Sequence, residues 1–221
     1  MTDQYSVVVP AYNAAQFLAE CLESVLSQST PPAEVVCVDD GSIDDTSEVA
    51  SRYPAVKLIR QENRGCSAAR NAALRVVTSP VVAFCDADDI WLPNKMSRQL
   101  TAMREGDAAS YCATEEFVSG LSTMLGARPA STYCLPLTSC VVVRRTVFDH
   151  IGFFDESIRD TEFIDWWSRL QSKGVSIAVC DDVLVRRRIH ATNKSRNSYR
   201  SPEEFLALVR RHRERVSRGS L

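Results

Sequence analysis

Long apolar runs are missing from this 221-residue chain. The longest, such as Val81 to Cys85 and Cys140 to Val143, are far too short to span a bilayer. No basic stretch followed by an apolar one opens the sequence, so no secretory signal is expected. Internal repeats and low-complexity segments are absent as well. The eight cysteines, at 21, 37, 66, 85, 112, 134, 140 and 180, form no Cys-x-x-Cys pair. That spacing argues against a zinc site or a disulfide framework and for scattered thiols in a reducing cytoplasm. Pro10-Ala11-Tyr12-Asn13, after the first apolar run, contains no glycine and no lysine, so it is no phosphate-cradling loop. Overall charge is also nearly absent: 26 basic residues stand against 28 acidic ones. The balance is uneven, however. Residues 186–221 hold 11 basic and 3 acidic groups, whereas 1–185 hold 15 and 25. A basic tail of this kind suits an anionic lipid surface, nucleic acid or a solvated helix face.

What is present is an alternation of strand and helix patterns. Tyr5–Pro10 reads as a buried strand, and Ala15–Gln28 has apolar residues at 18, 21, 22, 25 and 26, the spacing of an amphipathic helix. Thr30-Pro31-Pro32 ends it. Strands are expected at Glu34–Val38, Val56–Ile59 and Val81–Cys85. Helices are expected at about 45–52, from Cys66 to about Val77, and from Pro93 to about Arg104. Strand patterns then recur at Tyr111-Cys112, 139–143, 175–179 and 183–189, with a helix from Glu162 to Gly174. This order predicts an α/β fold: one domain whose mostly parallel central sheet carries helices on both faces. Residues 1–105 form one half and 106–195 the other. A basic amphipathic helix, 202–216, falls in the remaining segment, 196–221.

In such sheets ligands bind beyond the carboxyl ends of the strands. Three polar segments fall there: Pro10-Ala11-Tyr12, Asp39-Asp40-Gly41 and Asp86-Ala87-Asp88-Asp89. Three carboxylates in four residues at a strand end suit a hard divalent cation, Mn²⁺ or Mg²⁺, completed by phosphate oxygens and water. Asp89 is expected to cap the following helix. A calcium loop starting at Asp39 is excluded, because its sixth and twelfth positions are Asp44 and Ala50 rather than Gly and Glu.

Five segments occur in order: Tyr5-Ser-Val-Val-Val-Pro-Ala-Tyr-Asn13, Val38-Asp-Asp-Gly-Ser42, Asn63-Arg-Gly-Cys-Ser-Ala-Ala-Arg-Asn71, Asp86-Ala-Asp88 and Gly152-Phe-Phe-Asp-Glu156. Together they resemble the GT-A fold glycosyltransferases of family 2. The resemblance implies metal-dependent, inverting transfer of a sugar from a nucleotide diphosphate to an acceptor. It also implies a UDP-sugar donor, and no nucleic acid partner. The acceptor stays open between glycan, lipid carrier, small molecule and peptide. Peripheral membrane contact through the basic C-terminal helix is a further expectation. A non-catalytic relative that keeps the fold is the alternative reading; a sugar nucleotidyltransferase is a third.

By the same resemblance, Pro10, Ala11, Tyr12, Asp39, Asp40, Arg70 and Asp86 serve the nucleotide, with Asp40 at the base. Asp88 is the main metal ligand, with Asp86 and His190 beside it. His190 stands in a late His-x-x-Asn element, His190 to Asn193, and an arginine just before it is placed near the diphosphate. The catalytic base is expected at Glu162, then Asp165, then Asp160; Phe163 stands where the family has a second acid. The plainer readings are a solvent-facing Arg70, an exposed helical Asp165, and core positions for Trp166 and Trp167.

Overall fold

A computed structural model describes residues 4–119, 131–191 and 193. The 196–221 segment and its basic helix lie outside the described residues. The sheet runs β3-β2-β1-β4-β8-β6-β9-β5, with β7 (Thr132–Tyr133) on the side of β6. Here β1 is Tyr5–Ala11, β2 Glu34–Asp39, β3 Val56–Arg60, β4 Val81–Phe84 and β5 Ile90–Trp91. The later strands are β6 (Asp107–Val118), β8 (Val141–Arg144) and β9 (Ser176–Ile189). Parallel ladders join β1 to β2 and β4, β2 to β3, and β6 to β9, and they hold most of the paired residues. Strand β8 runs antiparallel between β4 and β6.

The inner strands are buried on both faces, so they read as unbroken apolar runs rather than alternating ones. Val7, Val9, Val35 and Cys37 point to one core with α1 (Ala15–Leu26), α2 (Thr46–Ser51) and α4 (Lys95–Ala102). Val8, Val36 and Val38 point to the other with α3 (Cys66–Leu74), α5 (Val147–Ile151) and α6 (Glu162–Gln171). Alternate residues of one strand thus serve opposite layers. In α1, Leu18, Cys21, Leu22 and Val25 are fully enclosed, as the helical spacing predicts. Trp166 and Trp167 are both core residues, stacked on Phe148 and Phe154 and on Phe163 respectively.

Three sequence expectations change. The two late strands are one: β9 runs unbroken alongside β6, and the register jumps from Cys112–Cys180 to Ala113–Val183. Asp181 and Asp182 bulge out of that ladder, which is why the pattern reads as a break. The 139–143 strand begins only at Val141, behind a tight 3-10 turn at Thr138–Cys140. Strand β5 was not foreseen, because two residues carry no periodicity.

These pairings set the site. Since β1, β2 and β4 are parallel, their carboxyl ends share one rim. The antiparallel β8 brings the Thr138–Cys140 turn to the same rim, and β9 delivers His190 there.

Candidate active site

The rim beyond β1 and β2 is held together by short polar side chains. Pro10 and Ala11 close the buried strand β1, and Tyr12 beyond them is 51% exposed. Asn13 takes a left-handed backbone (φ 48°), which Asn tolerates better than most residues. Its N–H donates to Ser42 Oγ at 2.9 Å, and its Oδ1 accepts from Ile43 N at 3.0 Å. Asp39 accepts from Ser42 N at 2.9 Å and from Ser47 Oγ. Burial opposes ionisation of Asp39, but these hydrogen bonds, with Arg60 beside them, outweigh it and hold the carboxyl below its ordinary range.

Asp40 is 3% exposed and accepts from Gln61 Nε2 (2.7 Å), Arg64 N (2.9 Å) and Gly65 N (2.7 Å). A carboxylate offers about four lone-pair sites, so roughly one is left for a ligand. Gly41 has φ 77°, and a Cβ there would lie 2.7 Å from Asn63 N. The glycine is therefore a steric requirement of this turn.

Asp86, Asp88 and Asp89 take three different partners. Asp86 Oδ1 pairs with Arg70 Nη2 at 2.9 Å, and its side chain is 35% exposed. Asp88 Oδ2 lies 2.9 Å from His190 Nε2 and accepts from Asn193 Nδ2 at 3.1 Å. Asp89 does not cap a helix. Helix α4 begins six residues later, and Asp89 is instead buried, accepting from Ser139 Oγ (2.6 Å) and Arg188 N (3.1 Å). Burial, then repulsion from Asp88 and Asp86, pushes the Asp89 carboxyl well above its ordinary range. Ser139 Oγ also accepts from Asp86 N at 3.0 Å, so one hydroxyl ties both ends of the acidic segment to the 3-10 turn.

Among the described residues no three His, Cys, Asp or Glu side chains gather into a self-sufficient metal cage. Asp88 and His190 nevertheless fit a divalent ion in part. They place a hard oxygen and an imidazole nitrogen side by side, both partly exposed, leaving other positions to phosphate and water. Asp86 Oδ1 is engaged by Arg70. The His190 ring rests 4.4 Å from Phe17, which fixes its plane.

The arginines before His190 are committed within the protein. Arg188 donates to Asp88 O at 2.9 Å and pairs with Glu20; Arg187 pairs with Glu116 at 2.7 Å; Arg186 sits over Phe117.

Arg70 is not solvent-facing. It is 3% exposed and pairs with Glu162 Oε1 at 3.1 Å as well as with Asp86. Burial opposes its charge, yet Cys66, Asp86 and Glu162 outweigh that and bind its proton more tightly than usual. Glu162 opens α6 and is itself buried. Asp165 is buried too, not an exposed helical charge. It holds Arg169 (3.0 Å), whose guanidinium binds the carbonyls of Ile151 and Phe153. Asp160 lies half-buried in the turn before α6. The structure thus brings Asp86, Arg70 and Glu162 into one array and gives Asp165 a separate partner.

Sequence reasoning missed Ser139 and the role of Asn71. Asn71 exchanges hydrogen bonds with Phe154 O (2.9 Å) and Phe154 N (3.0 Å) and donates to Glu156 at 3.0 Å. Arg64 adds a 2.7 Å bond to Glu156. This strap fastens residues 154–158 onto the start of α3. Its signal was the pairing of the Asn63–Asn71 and Gly152–Glu156 segments. Two cavities of about 390 Å³, one of them lined by Arg144, Val147, Ile151 and Leu170, are built from other residues.

The family model "Glycosyl transferase family 2" matches residues 6–128, and the chain belongs to that family. The Escherichia coli protein named UDP-Glc:alpha-D-GlcNAc-diphosphoundecaprenol beta-1,3-glucosyltransferase WfaP is 28% identical over 205 residues, covering 88% of this chain and 81% of WfaP. The GT-A architecture is shared with S. aureus TarS 1–349 in complex with UDP-GlcNAc (TM-score 0.80, 20% identity, 96% of this chain and 66% of that one). It is shared also with the mannosyltransferase PcManGT from Pyrobaculum calidifontis in complex with GDP-Man and Mn²⁺ (TM-score 0.71, 20% identity, 88% and 59%). The chain thus spans about two thirds or less of each of these two structures.

Proposed function

We propose that this protein transfers a sugar from a nucleotide-diphosphate sugar, a UDP-sugar first, to a nucleophilic acceptor with inversion. The observation that carries the reading is the hydrogen-bonded array at the carboxyl ends of β1, β2 and β4. It sets a candidate metal pair, Asp88 and His190, at the same acidic segment as Asp86, which Arg70 ties to a buried candidate base, Glu162. A uridine donor is supported by the UDP-GlcNAc bound in TarS and by the UDP-Glc in the name of WfaP. A divalent ion is supported by the Mn²⁺ in PcManGT.

In this reading Pro10, Ala11 and Tyr12 line the nucleoside. The open lone pair of Asp40 meets the base, and Asp39 shapes the turn that presents it. Asp86 faces the ribose. Asp88 and His190 would hold Mn²⁺ or Mg²⁺, which would supply positive charge against that building on the departing diphosphate. Glu162 takes the proton of the attacking hydroxyl from the acceptor side. No helix among the described residues is long and apolar enough to cross a membrane.

Isothermal titration of UDP, GDP and dTDP, each with and without Mn²⁺, tests the donor site. Metal-dependent binding of UDP is expected in the wild type and is lost in Asp88→Ala. Equal binding by both proteins removes the metal assignment. No binding of any nucleotide removes the enzymatic reading and leaves a fold relative without donor chemistry.

A further inference from the structure

The Arg70 guanidinium divides its donors between two distant parts of the chain. Nη2 reaches Asp86 Oδ1 at 2.9 Å, just after β4, and Nη1 reaches Glu162 Oε1 at 3.1 Å, at the start of α6. Thr138 Oγ1 lies 3.5 Å from Nη2, and the Phe154 ring backs the group at 5.4 Å. Nothing in this cage leaves room for a nucleotide to meet Arg70 directly, since the side chain is 3% exposed. Asp86, by contrast, is 35% exposed and faces the rim.

We propose that Arg70 is a positioning residue that sets Glu162 against Asp86, rather than a nucleotide contact. A planar fork can hold two carboxylates at a fixed separation and orientation; the single ammonium of a lysine cannot. The separation matters because an inverting displacement needs base, acceptor and donor carbon in line. Misplacement of about 1 Å costs on the order of 100-fold in rate. The proposal rests on Glu162 being the base.

The test measures UDP release from UDP-GlcNAc with Mn²⁺ and no acceptor, and UDP affinity by titration. The proteins are wild type, Glu162→Gln, Arg70→Lys and the double variant. Glu162→Gln is expected to lower kcat by about 100-fold or more. Arg70→Lys is expected to lower kcat about 10- to 100-fold, with donor KM and UDP Kd within about threefold of wild type. The double variant is expected to be no slower than Glu162→Gln alone, because groups acting as a unit are not additive. Retained UDP affinity certifies that a variant is folded. Arg70→Gln, neutral but still a donor, provides a second variant with the same pattern expected. Additive losses in the double variant overturn the proposal, as does a raised KM with kcat intact. If Glu162→Gln turns over like the wild type, the base assignment fails and the role of Arg70 fails with it. If Glu162→Gln is slow but the losses add, only the Arg70 proposal fails.

Discussion

Ser139 shows how much one hydroxyl can organise. It receives Asp86 N, donates to the buried Asp89 carboxylate, and its carbonyl takes Trp91 Nε1 at 3.1 Å. Ser139→Ala leaves one buried carboxylate oxygen without its donor and one backbone N–H without its acceptor. The expected cost is about 1–3 kcal/mol in urea unfolding, with metal-dependent UDP affinity falling in parallel. Unchanged stability would mean that water replaces the hydroxyl and that the tie is dispensable. Asp89 teaches a related lesson. A carboxylate after a strand and before a helix reads as a cap in the sequence. Its true partners, Ser139 and Arg188, are 50 and 99 residues away. No local signal encodes contacts at that range.

Among elements, the turn after β2 depends most on backbone geometry. Gly41→Ala puts a methyl 2.7 Å from Asn63 N at φ 77°, so neither the backbone nor its neighbour accommodates it. A loss of about 1–3 kcal/mol is expected, together with weaker UDP binding, because the displaced segment includes the donors of Asp40. Thermal and urea unfolding beside nucleotide titration check this; a variant as stable as wild type would show that the turn relaxes freely. Strands β1 to β4 and helices α1 to α4 were legible because doubly buried strands are contiguous apolar runs and the helices alternate with them. The first half of the site came with them, since turns at parallel strand ends must meet. The second half was harder. The bulge at Asp181-Asp182 disguised one strand as two, and Glu162 was singled out as a candidate base through resemblance to a family, not through pattern. Its tie to Arg70 crosses 92 positions and has no trace in composition.

For the whole molecule, acid stability follows from carboxylates pinned by hydrogen bonds. Glu34 joins the start of β2 to the Thr78-Ser79 turn, accepting from Ser6 Oγ (2.6 Å), Thr78 N (2.7 Å) and Ser79 N (3.2 Å). Burial opposes its ionisation, but these donors win and lower it below its ordinary value of 4.5. A carboxyl lowered in the folded state contributes stability that is full above that ordinary value. The contribution is lost as pH falls through it toward the folded one. Urea unfolding at pH 7 and pH 3 is expected to show Glu34→Gln losing less stability than wild type across that interval. An identical loss in both proteins would assign the acid sensitivity elsewhere. The place of β4 in the sheet has another consequence, for the order in which the chain is made. Its neighbour on one side, β1, has already emerged from the ribosome, but its neighbour on the other, β8, ends at Arg144. For some sixty residues of synthesis the apolar edge of Val81, Val82, Ala83 and Phe84 stands unpaired, open to any passing strand. The exposed edge is thus a feature of the growing chain rather than of the finished sheet, where β1 and β8 flank β4 on both sides.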